Sequence, residues 1–415
     1  MLQTINIFYL YCIAENVSME QLIIQSQLKI AKITTDFQRY LIKEINWNDR
    51  LISIRGARGV GKTTLLLQHI FNSRLANNSY LYVSMDDLYF INTTLIDLAR
   101  SFSNIGGKHL FLDEVHKYPN WSREIKLIYD NHPELYVVFT SSSILEIYKA
   151  ESDLSRRAIS YDLKELSFRE YIELKHKIKF DKYSFKEIID NHQSISLGIQ
   201  SKIKPIQFFR EYVRFGAYPF FIENEDNYHQ RLRNVISMVI DIDINAVENL
   251  SYDVLTKIKR LLSAVATSVP FTPNITRLSE KLNISRPTLL QALQILERAR
   301  ITSSINKVAK GIGVLTKPEK LYLNNTNLLF ALVGTQVDSG TVRETFFMNQ
   351  LNGIVKLNIP EKGDFLLNEE YIMEVGGRSK KQKQLIRIEK GYIVKDDIEI
   401  GANNIIPLWL FGFLY

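Results

Sequence analysis

The chain has 415 residues, 46% hydrophobic and 23% charged, the composition of a soluble globular protein of about two to four domains. Its one cysteine, Cys12, excludes an intramolecular disulfide and any cysteine-built metal site, and fits a reducing, cytoplasmic compartment. A net charge of +7 allows an anionic partner such as nucleic acid without requiring one, and no run reaches the eighteen apolar residues of a membrane span. Ile5 to Ala14 is apolar, but no cation precedes it, so it makes a poor secretory leader. Residues 1–18 are expected to be a non-native or disordered extension, arising from a start codon upstream of Met19.

Leu51 to Arg55 reads as a short buried strand, and Thr64 to Ile70 as a helix. Between them lies Gly56-Ala57-Arg58-Gly59-Val60-Gly61-Lys62-Thr63, which fits the phosphate-loop pattern without a mismatch. Glycines let the backbone curl until successive N–H groups face phosphate oxygens. The amides around Gly56, Gly59, Val60, Gly61 and Thr64 therefore form the expected cradle. Lys62 would reach the β- and γ-phosphates, and the Thr63 hydroxyl would sit on Mg²⁺. The positive end of the following helix faces the anion.

Leu81 to Asp87 supplies a second strand. His109 to Glu114 supplies a third, whose apolar run suits a central parallel strand buried on both faces. Asp113 would meet Mg²⁺ at its carboxyl end, and Glu114 would polarise the attacking water. A fourth strand, Tyr136 to Phe139, runs into Thr140-Ser141-Ser142-Ser143. Those hydroxyls, Ser142 among them, are candidates for sensing the γ-phosphate or the water. Strands alternating with helical stretches imply an α/β fold with a parallel sheet.

Gly56–Ile70, Leu110–Trp121, Thr140–Ser143 and Leu163–Ile172 together resemble a group of prokaryotic AAA-superfamily P-loop ATPases. That group couples its ATPase module to an accessory C-terminal region of the DUF4143 type. The resemblance implies a P-loop ATPase domain over 19–175 and a helical lid over 176–250. It also implies ATP with Mg²⁺ as cofactors, and leaves oligomerisation open. No guanine-reading Asn-Lys-x-Asp segment occurs, so adenine is favoured. The group commonly carries a Gly-Arg pair before its Leu163-like segment. Here Arg156-Arg157 stands there, so by resemblance Arg157 is a candidate γ-phosphate arginine, in cis or across a subunit interface.

Residues 164–250 have helical spacing, interrupted by Gly216 and Pro219. Over 251–325, Ile275 to Leu282 and Arg286 to Glu297 read as two helices flanking the polar turn Asn283-Ile284-Ser285. Ser285 is a natural N-cap, and Pro287 lies in the first turn where proline is tolerated. A strand from Arg300 to Ile305 and a basic segment through Lys310 and Gly313 complete a winged-helix pattern. Arg286, Thr288 and Gln291 would face DNA, although such modules also bind proteins.

Over 326–415, Glu344 on a helix, Asp364 before a strand and Glu374 at a strand end resemble the metal site of restriction-type endonucleases. The usual lysine position is Gly376, so Arg378, Lys380 or Lys381 would have to substitute. An endonuclease-like α/β domain without nuclease activity is the expectation. The basic run from Arg378 to Arg387 is a solvated face or a phosphate track, and Pro407 to Phe413 should be core. The combined reading is an Mg²⁺-dependent ATPase that moves a C-terminal DNA- or protein-binding region. A nucleotide-gated binding module and a DNA-processing nuclease-ATPase are its alternatives.

Overall fold

Five short runs form the first sheet of the computed structural model, which describes residues 18–141, 154, 156–245, 250–268, 270–308, 318–380, 385 and 388–415. They are β1 (Leu51–Arg55), β2 (Tyr80–Ser84), β3 (His109–Asp113), β4 (Tyr136–Ser141) and β5 (Ile159–Asp162). All pair in parallel, in the order β2-β3-β4-β1-β5. The inner strands β1, β3 and β4 are nearly continuous apolar runs because both of their faces are covered. The edge strand β5 is mostly exposed, and its sequence is correspondingly polar.

Helices α1 (Met19–Ala31), α2 (Lys62–Ser73), α3 (Leu95–Asn104) and α4 (Trp121–Asn131) belong to the same unit. The apolar stripe of α3 shows why it folds as a helix. Leu95, Leu98, Ala99 and Phe102 recur at i, i+3, i+4 and i+7, and all four are buried. The Thr94 hydroxyl caps it by accepting the Asp97 N–H at 3.1 Å. Burying Leu98 and Phe102 contributes about 1.5–3 kcal/mol each.

The chain divides into two compact units after Lys164. The span 19–175 expected for the first domain runs eleven residues past this break. In α5 (Phe168–His176), Phe168 packs against Phe209, Tyr212 and Phe413 of the second unit. The Ser167 hydroxyl and the Arg169 guanidinium both donate to the main-chain oxygen of Tyr415, at 2.8 and 2.9 Å.

The second unit continues with α6 (Phe185–Gln200), α7 (Pro205–Phe215) and α8 (Tyr228–Met238), which runs on into a π-helical turn, Val239–Ile244. Next come α9 (Tyr252–Ala266), α10 (Ile275–Leu282) and α11 (Arg286–Arg298). Ser285 caps α11 as expected, accepting the Thr288 N–H at 3.2 Å. Strand β6 (Thr302–Ile305) pairs antiparallel with β7 (Lys320–Leu323), which also bridges to Phe271. After α12 (Thr326–Val333) and α13 (Ser339–Leu351) comes a second five-stranded sheet. Its strands are β8 (Leu357–Asn358), β9 (Phe365–Leu367), β10 (Tyr371–Gly376), β11 (Gly391–Lys395) and β12 (Ile405–Pro407). The order is β12-β11-β10-β9-β8. The first three are parallel to one another, while β9 pairs antiparallel with both β10 and β8. The apolar segment Leu408–Phe413 is buried in its core.

Within this unit a buried hydrogen-bond network joins segments far apart in sequence. Asn327 on α12 is 0% exposed. Its amide donates to the carbonyls of Val213 (3.0 Å) and Tyr212 (3.2 Å), at the end of α7. Its oxygen accepts the Ala217 N–H at 2.8 Å and the Tyr228 hydroxyl.

Candidate functional site: a phosphate loop and its acidic strand

The loop after β1 turns by means of two left-handed glycines, Gly59 (φ 84°) and Gly61 (φ 96°). Gly56 is required for a different reason. A Cβ there would lie 2.5 Å from the carbonyl oxygen of Leu163, so only glycine lets the chains pass. Arg39, 4% exposed, holds the loop from behind by donating to the carbonyls of Val60 and of Lys164, the latter at 2.7 Å. Helix α2 starts at Lys62, so its free N–H groups and positive end belong to the loop. The buried Lys62 ammonium donates to the carbonyls of Gly56 (2.9 Å) and Ala57 (3.0 Å).

The parallel sheet puts the carboxyl ends of β1, β2, β3 and β4 on one edge, and the acidic pair is assembled there. Asp113 is 3% exposed and accepts three hydroxyls. Thr63 donates to Oδ2 at 2.6 Å, Tyr82 to Oδ2 at 2.8 Å, and Thr140 to Oδ1. Burial, and next the Asp113 charge, push the Tyr82 phenol well above its usual range, so it stays a donor. The Thr140 hydroxyl also accepts the Glu114 N–H at 3.0 Å, so one side chain fixes both acidic positions. Glu114 adopts a left-handed backbone conformation (φ 55°), which for a non-glycine residue costs about 1 kcal/mol.

The Glu114 carboxylate is ion-paired with Lys117, whose ammonium also contacts Asp86 at 2.5 Å. Partial burial works against the Lys117 charge, but hydrogen bonds to Asp86 and Glu114 outweigh it and raise its pKa. His116 is driven down to about 3 by burial and then by the charges of Lys62, Lys117 and Arg58, so the imidazole is neutral at pH 7.

The structure thus brings together Gly56, Gly59, Val60, Gly61, Lys62, Thr63, Thr64, Asp113 and Glu114 at one end of the sheet. Ser142 lies outside the described residues. Arg157 does not join them. It precedes β5, at the amino edge of the sheet, where its guanidinium makes two hydrogen bonds to Asp130, at 2.9 and 3.0 Å. The length of β1 separates that edge from the loop, so within one chain Arg157 does not serve the γ-phosphate.

Among the described residues of the second unit, the endonuclease-like constellation is only partly assembled. Glu374 is buried, and its Oε1 is paired with Lys380 at 2.9 Å. The Lys380 side chain lies over Gly376, where a Cβ would meet its Cγ at 2.6 Å, so Lys380 fills the space of the missing lysine. Asp364, however, accepts the Val375 N–H at 2.8 Å, and Glu344 accepts the Tyr322 hydroxyl at 2.8 Å. No three potential ligands gather to hold a metal among the described residues. Lys310, Gly313, Lys381 and Arg387 lie outside them. On α11, Arg286 and Gln291 are exposed, while the Thr288 hydroxyl is engaged with Ser285 at 2.7 Å.

Residues 48–172 match the family model described as an AAA domain. Residues 206–339 match a domain of unknown function, DUF8612, rather than the DUF4143 type expected. An uncharacterized protein of Methanocaldococcus jannaschii is 27% identical over 408 residues, covering 88% of this chain and 85% of its own length. A second protein of that organism, also uncharacterized, is 26% identical over 251 residues, covering 58% of this chain and 51% of its own. Among solved structures, a Walker-type ATPase of Pyrococcus abyssi aligns with a TM-score of 0.39 at 11% identity, over 70% of this chain and 93% of that one. AMPPCP-bound DnaA from Aquifex aeolicus aligns with a TM-score of 0.26 at 14% identity, over 62% and 84%. Residues 48–172 thus carry an AAA-type P-loop domain. No helix among the described residues is long and apolar enough to cross a membrane.

Proposed function

We propose that the chain is an Mg²⁺-dependent ATPase whose nucleotide state controls a nucleic-acid- or protein-binding second unit. The observation that carries this reading is the convergence of Lys62, Thr63 and Asp113. The Thr63 hydroxyl and the Asp113 carboxylate are 2.6 Å apart beside an ammonium that already binds oxygen atoms. A hydroxyl and a carboxylate are hard oxygen donors, which suits Mg²⁺, and a lysine beside exposed helix N–H groups suits phosphate. Bound Mg²⁺–ATP supplies the electrophilic phosphorus and a counter-charge for its oxygens.

The chain's own groups do the remaining work. Lys62 and the loop amides hold the β- and γ-phosphates in place. Tyr82 and Thr140 hold the Asp113 carboxylate turned for the metal shell. Glu114 orients and polarises the attacking water. Catalysis of this kind is positioning plus electrostatics, so rigid support of each group matters as much as its identity.

A second reading, a gated binder with negligible turnover, draws support from Lys117, which pairs with the carboxylate that would act on water. The helical sequence α9–α10–α11 with the β6–β7 ladder supports the winged-helix reading of 251–325. Steady-state ATP hydrolysis with and without duplex DNA separates these possibilities. Hydrolysis that DNA accelerates and Glu114→Gln abolishes makes DNA the partner. Hydrolysis indifferent to DNA points to a protein partner. ATP binding without hydrolysis in either condition replaces the enzyme with the gated binder.

A further inference from the structure

The positive charge of the chain is concentrated in residues 251–308. That segment holds nine Lys and Arg against Asp253, Glu280 and Glu297, a net +6, while the whole chain carries +7. Part of this charge is already neutralised. Lys257 pairs with Asp253 at 2.6 Å, and Lys259 pairs with Asp241 at 2.7 Å. Arg260, Arg277 and Lys281 have no ion-pair partner among the described residues, and all three line one cleft of about 620 Å³ between α9 and α10.

Helix periodicity explains the convergence. Arg260, Ala264 and Thr267 stand at i, i+4 and i+7 on one face of α9, and Arg277 and Lys281 at i and i+4 on α10. Among the described residues no carboxylate lines the cleft, so three like charges face a shared space that favours an anion. The remaining lining is suited to more than a bare anion. Phe271 and Leu278 present apolar surface, and Ser263 and Asn274 present polar groups. The volume exceeds that of a single phosphate and falls within the range of about 300–1,000 Å³ typical of small-ligand sites. Two guanidiniums offer the forked donors that phosphate oxygens accept, and the Phe271 ring offers a surface for a base.

We propose that the α9–α10 cleft binds a nucleotide unit through its phosphate, either within a single nucleic-acid strand or as a free nucleotide. This places the phosphate contacts on α9 and α10, away from the outer face of α11, where Arg286 is the cation near the helix start. The site is separate from the phosphate loop and does not depend on ATP hydrolysis.

The test uses the full chain without ATP or Mg²⁺. Fluorescence anisotropy follows a labelled fifteen-nucleotide oligothymidine, and titration calorimetry follows free thymidine monophosphate. The variants are Arg260→Glu, Arg277→Glu and Lys281→Glu. Lys186→Glu, an exposed cation on α6, controls for net charge alone. All four are surface changes, and unchanged circular dichroism confirms folding. The expected result is that each cleft variant weakens binding at least tenfold while Lys186→Glu changes it less than twofold. If the ligand is a strand, the wild-type log–log salt slope is about −2, and it falls by about 0.7 with each lost contact. If the ligand is a free nucleotide, thymidine monophosphate gives binding heat that the cleft variants lose. Absence of binding by both ligands, or binding that the cleft variants leave intact, overturns the proposal.

Discussion

Replacing Lys117 with methionine tests whether its ion pair restrains Glu114 in the resting protein. The change removes an ammonium paired with both Glu114 and Asp86, while keeping the length of the apolar stem. The Lys117 and Glu114 side chains are 29% and 23% exposed, so the pair is partly screened. Exposed pairs are worth about 0.2–1 kcal/mol each. Taking about 1 kcal/mol for the Glu114 contact, its removal raises the population of the unrestrained carboxylate about fivefold. Lys117→Met should therefore raise kcat two- to tenfold, by that same estimate of about 1 kcal/mol, with KM for ATP unchanged. A pH profile adds a check with a definite sign. The folded pKa of Lys117 is raised, so its pairing is complete below the usual lysine value of about 10.4 and is lost only as pH climbs beyond it. Between about pH 6 and 9 the wild type should show no step due to Lys117, and the variant should keep the same profile shape at a higher plateau. Steady-state phosphate release measures both quantities. A tenfold fall in kcat would show that Lys117 assists turnover, and would refute the restraint.

Gly56→Ala should abolish nucleotide binding and lower the thermal midpoint, because its Cβ meets the Leu163 carbonyl at 2.5 Å; a titration with fluorescent ATP and a melting curve read the two effects. Asn327→Ala should destabilise the second unit by about 3–5 kcal/mol in urea, since it leaves several buried backbone and hydroxyl groups unpaired. An effect under about 1 kcal/mol would contradict the joining role of this network. Arg157→Ala should leave ATP affinity and turnover of the dilute protein within about twofold of wild type, a difference below about 0.5 kcal/mol, because the arginine lies on the far edge of the sheet. A large loss confined to high protein concentration would indicate that it acts across an interface.

The phosphate loop and the Asp113-Glu114 strand end were legible because their chemistry sits in contiguous residues flanked by clear strand and helix signals. Helices α10 and α11 were legible for the same reason, with a cap and a proline marking the start of the second. The support around the site was not. Tyr82 and Thr140 reach Asp113 only because β2, β3 and β4 are neighbours in parallel register, which no local pattern specifies. Arg39 looks like an ordinary surface arginine until the loop folds over it. Lys117 was readable as a cation three residues after Glu114 on a short turn, a spacing that could have suggested the pairing. Arg157 failed in the opposite direction. It matched the arginine of a family pair whose glycine is Arg156 here, but which edge of a sheet a residue occupies depends on strand direction. In the second unit, Asn327 and the aromatic residues around Phe168 join segments far apart in sequence, which no local pattern specifies.

The most direct test of the ATPase account compares ATP binding and hydrolysis in the wild type, Lys62→Ala and Glu114→Gln, with Mg²⁺ present. Binding is followed with fluorescent ATP and turnover by phosphate release. The account predicts that Lys62→Ala loses tight binding, and that Glu114→Gln keeps binding within a fewfold of wild type while turnover stops. Wild-type turnover in Glu114→Gln, or undiminished binding in Lys62→Ala, would contradict it.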